Sequence, residues 1–226
     1  MKEKIYTIPV NDAFDDPSGG CPFCLLHSRL EEEQLGLILG ASMMEDDVRT
    51  QTNEKGFCPD HLSKLAKRGN RLGLALILES HLETLKGRIA PGGFFASDKS
   101  ARPKKELLAL EKSCYICERT ENNFDAILGT SAYLYAKEKE FKAKFANAKS
   151  LCLPHYRRVL EAAGAIPKPY SADMAADAGR IVAACLDKLK DDISWFCKKF
   201  DYRYEEEPWY DAKDAIERAV TFLTGM

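Results

Sequence analysis

The sequence predicts an all-α fold: two pseudo-repeated helical hairpins, each closed by a zinc site of three cysteines and one histidine, with additional C-terminal helices. Three observations predict it. Cys-x-x-Cys occurs at Cys21 and Cys24 and again at Cys114 and Cys117, and each time a Cys-x-x-His returns, at Cys58 and His61 and at Cys152 and His155. The interval between the inner and the returning cysteine is 33 residues in one copy and 34 in the other. Apolar residues recur at helical spacing through both copies and beyond them, and strand signals are confined to Ile5 to Val10.

In the first copy, Leu25, Leu26, Leu30, Leu35, Ile38 and Leu39 form a helical stripe with an acidic outer face at Glu31 to Glu33, and a break falls near Gly40 to Ser42. In the second, Phe124, Ile127 and Leu128 mark the outgoing arm, Gly129 to Ser131 the break, and Tyr133, Leu134, Phe141 and Phe145 a return arm rich in Lys and Glu. An arm of about 15 residues travels about 22 Å, so an out-and-back hairpin is expected to bring each Cys-x-x-His home to its own Cys-x-x-Cys. After His61 a long helix is expected through Leu62, Leu65, Leu72, Leu76, Leu85 and Ile89, ending before Pro91. Pro91 to Pro103 reads as the linker, dividing an N-terminal zinc-bound half, 1–95, from a C-terminal zinc-bound half, 96–226. After His155 a short helix stops at Gly164, and Pro167 and Pro169 break the chain. Ser171 is expected to cap a helix bearing Met174, Ala178, Ile181, Cys185, Leu189, Ile193, Phe196 and Phe200. Asp211 is expected to cap a last helix with Ile216, Val220 and Leu223, closed by Gly225.

Composition narrows the function classes. The 226 residues are 45% hydrophobic and 30% charged, so disorder and fibre are excluded. The net charge is −2, and no half carries the basic excess that a phosphate backbone demands, so no nucleic-acid partner is expected. The first 20 residues are interrupted by charges and prolines, which predicts a cytoplasmic location without a secretory leader. The longest apolar run, Leu72 to Leu78, is far short of the roughly 20 residues a bilayer crossing needs. In a reducing cytosol, short-spaced cysteines point to metal or redox chemistry more than to disulfides.

Zinc in a structural site takes four ligands in a tetrahedron, and a two-residue spacer aims neighbouring ligands of one turn at one ion. Cys21, Cys24, Cys58 and His61 are expected to form one site, and Cys114, Cys117, Cys152 and His155 the other. Two zinc ions per chain follow, with iron the alternative, since soft thiolates also suit iron–sulfur chemistry. Each pair lies at a predicted helix N-terminus, where free N–H groups favour thiolate over thiol. Buried free cysteines would leave the duplicated histidine unexplained, and a thioredoxin-like pair needs a strand–helix setting that the sequence lacks. Four protein ligands close the shell, which argues against catalytic zinc, and no catalytic residue is assigned.

The remaining candidates divide between packing and function. Cys185 and Cys197 read as core thiols, too far apart along one helix for a disulfide. His27 is expected at a solvated helix position, with a substitute metal ligand or a group supporting the ligands the alternative, and His81 reads as a surface or satisfied core imidazole. Gly69 and Gly73, four apart, imply a close approach to their helix face. Helix packing explains it, or else a ligand or partner meeting Asn70 and Arg71. Tyr202, Tyr204, Trp209 and Tyr210 around Glu205 to Glu207 read as a packed connection between helices, with a partner-docking patch the alternative, and Lys137 to Lys144 as a solvated face.

Tyr6-Thr7-Ile8-Pro9-Val10, Cys-Pro-Phe-Cys, the Val48-Arg49 to Gly56-Phe57-Cys58 return and Arg68-Gly69-Asn70-Arg71-Leu72-Gly73-Leu74-Ala75-Leu76-Ile77-Leu78 resemble a bacterial domain family of unknown function. The resemblance covers nearly the whole chain. Some of that family's members are labelled transporter-associated or substrate-binding, which implies an extracytoplasmic location, whereas the N-terminus here predicts the cytoplasm. The family supplies no activity to carry over. The expected function is that of a cytoplasmic helical module, pinned by structural zinc, that binds a protein or small-molecule partner. The alternatives are an enzyme, using an open metal or a perturbed side chain near Asn70, Arg71 and His81, and a thiol-based metal or redox sensor.

Overall fold

The computed structural model describes residues 6–90 and 100–225, and among them every regular element is helical. Eleven α-helices follow in order: α1 (Thr7–Phe14), α2 (Pro22–Ile38), α3 (Asp46–Lys55), α4 (Pro59–Ala66), α5 (Arg71–Arg88), α6 (Ala101–Leu110), α7 (Tyr115–Lys137), α8 (Lys139–Ala146), α9 (Leu153–Ala163), α10 (Tyr170–Lys198) and α11 (Ala215–Thr224). They form two compact units, one of residues 1–28 with 124–226 and one of residues 29–123. No described helix is long and apolar enough to cross a membrane.

The first unit is organised around aromatic rings. Phe14 meets Phe23, Phe141 and Phe145 at centroid distances of 5.5, 5.1 and 5.6 Å, and Tyr135 stands edge-on to Phe145. On α9, His155, Val159 and Ala163 recur every fourth residue and are buried; α10 answers with Met174, Ala178, Ile181 and Val182. Trp195 and Phe196 near the end of α10 pack against Tyr204, Trp209 and Tyr210, while Lys199 donates to the carbonyls of Tyr204, Glu205 and Glu207. Tyr204, Trp209 and Tyr210 thus make the packed connection the sequence suggested, whereas Tyr202 is exposed.

The second unit has an aliphatic core of Leu35, Ile38, Leu39, Val48, Leu65 and Ile77 with Tyr115 and Ile116. Gly56 turns the chain from α3 to α4 with φ +60°, and a Cβ there would stand 3.0 Å from His81 Cε1. His81 is buried, with Nδ1 3.1 Å from the Asn53 carbonyl oxygen, so it is the satisfied core imidazole and not a surface one.

Several elements differ from expectation for identifiable reasons. Thr7–Phe14 is helix, not strand, because Val10 and Ala13, three apart, are its buried positions. The single helix expected after His61 is two, because the Asn70 side chain accepts from Gly73 N at 2.8 Å and starts α5 afresh. Gly69 thus lies in the turn, and Gly73 meets close neighbours: a Cβ would fall 2.7 Å from Asn70 Nδ2 and 2.9 Å from Met43 Sδ. Conversely α7 runs straight through Gly129 to Ser131. The hydroxyls of Thr130 and Ser131 donate to carbonyls four residues back, at 2.8 and 2.9 Å, and buried Phe124, Ile127, Leu128 and Leu134 hold both sides of that turn. Of the expected linker, 91–99 lies outside the described residues, and 101–103 already form the first turn of α6, where proline is tolerated. Pro169 rather than Ser171 precedes α10, and Asp214 rather than Asp211 precedes α11. Gly225, at φ +78°, closes α11 as expected.

Candidate metal centres

All eight predicted ligands come together, in a different combination from the one expected. Cys21, Cys24, Cys152 and His155 form one cluster, within the first unit, and Cys58, His61, Cys114 and Cys117 form the other, within the second. Each Cys-x-x-Cys therefore meets the Cys-x-x-His of the other copy. Helix lengths give the reason. At 1.5 Å per residue, α2 with 17 residues travels about 26 Å and α3 with 10 only about 15 Å, while α7 with 23 covers about 35 Å and α8 with 8 about 12 Å. Neither return arm is long enough to carry its motif back to its own start.

Local structure presents the ligands as the motifs require. Cys58 and Cys152 are the N-cap residues of α4 and α9, with nearly identical extended backbones (φ −68°, ψ 163° and φ −73°, ψ 159°) and proline in the first turn of each helix. Three residues on, each histidine lies one turn inside and turns Nδ1 back to its own cysteine, at 3.1 Å in both clusters. Cys21 and Cys114 immediately precede α2 and α7, which carry Cys24 and Cys117 in their first turns.

The distances suit a tetrahedral metal. With sulfur at about 2.3 Å and nitrogen at about 2.0 Å from the ion, the edges of a tetrahedron are about 3.8 Å for S···S and about 3.5 Å for S···N. The first cluster has Cys24 Sγ 3.5 Å from Cys152 Sγ, and His155 Nδ1 3.3 Å from Cys24 Sγ and 3.7 Å from Cys21 Sγ. The second has Cys58 Sγ 3.8 Å from Cys117 Sγ, and His61 Nδ1 3.2 Å from Cys114 Sγ and 3.3 Å from Cys117 Sγ. All ligand atoms within a cluster lie within 4.8 Å of one another. Three thiols and one imidazole make a donor set that fits a soft divalent ion such as zinc.

The surroundings of the two imidazoles differ. His61 Nε2 lies 3.0 Å from Glu31 Oε1, and Lys64 Nζ donates to both oxygens of that carboxylate at 2.6 Å. Burial would raise the Glu31 pKa, but Lys64 and His61 more than offset it and hold the carboxyl below its ordinary range. His155 instead lies among rings: Phe124 at 5.1 Å, Phe23 at 6.2 Å and His27 at 6.3 Å between centroids. His27, edge-on to Phe124 at 5.2 Å and half-buried, is thus part of the packing around His155 and not a solvated residue.

Proton sharing differs as well. In the first cluster hydrogen bonds from Cys152 and Cys24 hold the Cys21 thiol far below its usual range, and Cys152 is in turn pushed up to about 12, chiefly by its hydrogen bond to Cys21. In the second, burial opposes ionisation of Cys114, yet the His61 hydrogen bond brings its thiol down to about 6. The His61 imidazole, which burial alone would push down, is raised by Cys114 and by Glu31.

Sequence reasoning missed Glu31, because no spacing links it to His61; only the acidic face at Glu31 to Glu33 pointed to it. Cys185 and Cys197 are half-buried and exposed rather than core, and Cys185 Sγ lies 3.5 Å from the Lys149 carbonyl. The Asn70 amide is engaged twice, capping α5 and donating to the Leu39 carbonyl at 2.6 Å, while Arg71 is exposed.

The family of unknown function DUF6062 matches residues 1–226, the whole chain. The chain belongs to this family. A similar protein is the "Uncharacterized 23.9 kDa protein in xynA 3'region" of Caldicellulosiruptor sp. (strain Rt8B.4), 24% identical over 206 residues, which are 91% of this chain and 95% of that protein. No solved structure matches. In this DUF6062 chain, geometry is therefore the guide to function, and it gives two Cys/His clusters able to hold metal ions in an all-helical protein.

Proposed function

We propose that each cluster holds one zinc ion in a structural role, and that the chain is a binding module whose small-molecule ligand occupies a cavity beside the cluster of the first unit. When bound, zinc would fix the two ends of each ligand set together and contribute folding free energy. Three thiolates and a neutral imidazole leave the site with net charge −1 and a filled shell, which supports a structural rather than an open catalytic ion.

The observation that carries the binding reading is the cavity itself, about 670 Å³, within the size range of small-molecule sites. Cys21 and Cys152 form part of its wall, Ala184, Leu189 and Phe222 give it an apolar surface, and Lys149 stands at its side with no ion pair among the described residues. An apolar body with an acidic end suits that lining. The test is nuclear magnetic resonance of the zinc-loaded chain with a panel of small aliphatic and aromatic carboxylates and the matching amines. Carboxylates should shift the resonances of Ala184, Leu189 and Phe222, and Lys149→Ala should weaken them; a response confined to other residues, or equal for amines, defeats the reading. Cobalt substitution tests the structural role, since an anion-dependent visible spectrum at either cluster would favour an enzyme.

One observation favours the thiol-sensor reading. Cys185 opens onto the same cavity as Cys21 and Cys152, so a third thiol shares their space. Titration of reactive thiols with and without chelator separates it: a sensor reacts at cluster thiols, beyond Cys185 and Cys197, while the metal is still bound.

A further inference from the structure

A second cavity, of about 110 Å³, lies wholly within the second unit, at the start of α3. Its lining is unusual for a core position. Gln34 on α2 is 96% buried and Tyr115 on α7 equally so, both line this cavity, and no described residue hydrogen-bonds the Gln34 amide or the Tyr115 hydroxyl. Neither polar end is sealed off, since the Thr120 hydroxyl is the one fully buried side-chain polar atom without a partner among the described residues, so both ends depend on what occupies the cavity for their hydrogen bonds. Gln offers both donors and an acceptor, and the tyrosine hydroxyl offers one of each. Ile38 and Val48 wall the cavity with aliphatic surface.

The charges around it are of both signs. Glu45 and Asp47 stand on one element, the entry to α3, and Arg119 on another, α7. Among the described residues none of the three has an ion-pair partner. Glu45 is the N-cap residue of α3, but its side chain does not cap the helix, so the first-turn N–H groups keep their capacity to donate. An isolated anion would face the two carboxylates, and an isolated cation would face Arg119. A molecule carrying both charges would satisfy both ends, with the amide and hydroxyl binding its middle.

We propose that this cavity is a binding site for a small zwitterion, of the size of a free α-amino acid, with its ammonium group at Glu45 and Asp47, its carboxylate at Arg119, and hydrogen bonds from Gln34 and Tyr115 fixing its orientation. The cavity belongs to the other unit from the one proposed above and uses no metal ligand, so each proposal stands or falls separately.

The test is isothermal titration and thermal unfolding of the metal-loaded full chain with alanine, with propylammonium, with propionate and with urea. Alanine at millimolar concentration should bind and raise the melting temperature, while the two singly charged analogues and urea bind at least about tenfold more weakly. Gln34→Leu removes an amide that no described residue pairs, so the free chain should stay folded while the response to alanine is abolished. Arg119→Gln, at an exposed position, should weaken alanine binding about tenfold or more without unfolding the chain, and Tyr115→Phe should weaken it by less. If alanine gives no heat and no thermal shift, if urea or propionate binds as tightly, or if Gln34→Leu and Arg119→Gln both leave alanine binding unchanged, the cavity holds ordered water alone and the proposal is wrong.

Discussion

The two cysteine–histidine clusters share ligand types, motif spacing and N-cap geometry, and differ in what holds the histidine. In the second unit a carboxylate does it: Glu31, itself clamped by Lys64, faces His61 Nε2 and fixes which ring nitrogen turns to the thiols. In the first unit His155 Nε2 has no partner among the described residues, and the ring is oriented by Phe23, Phe124 and His27. The lesson is that a motif can specify the ligands and leave their support to the neighbourhood. A carboxylate raises ligand basicity and adds charge, whereas aromatic packing excludes water and adds neither.

The largest expected effect separates the two clusters outright. Zinc in such sites contributes on the order of 10–16 kcal/mol of apparent binding free energy, much of it folding energy, so Cys58→Ser should lose hydrogen-exchange protection across 29–123, Cys114 and Cys117 included. Cys152→Ser should do so across 124–225, while leaving the neighbourhood of Cys114 protected. Loss that followed sequence halves, with Cys58→Ser sparing Cys114, would contradict the crossed ligand sets. Next, Glu31→Gln should lower zinc affinity about 10–100-fold in the second unit, and leave the first unchanged, as read by chelator competition. Equal affinities before and after would remove the distinction drawn between the clusters. Phe124→Leu is the reciprocal change: it should cost about 1–2 kcal/mol by thermal unfolding and broaden the His155 ring resonances without touching those of His61. The smallest effect expected is at the second unit's helix start, where Asn70→Ala should cost about 1 kcal/mol through loss of the α5 cap, with metal content unchanged by elemental analysis.

Sequence by itself determined the helical class, the eight cysteines and histidines that gather into two clusters and the closing turn at Gly225, because each rests on short-range chemistry: apolar recurrence every three to four residues, a two-residue spacer in a single turn, and a glycine at positive φ. It also supplied the close approach at Gly73, though not the neighbours, Asn70 and Met43, that make it. Tertiary structure decided which Cys-x-x-Cys meets which Cys-x-x-His. The repeat made each copy look self-contained, yet where a chain comes back depends on where its helices end, and α7 passes through Gly129 while α3 and α8 fall short of their partners' lengths. The Glu31 carboxylate and the rings around His155 were hidden for the same reason: each acquires its meaning from residues about 30 to 130 positions away, and no local spacing records so distant a neighbour.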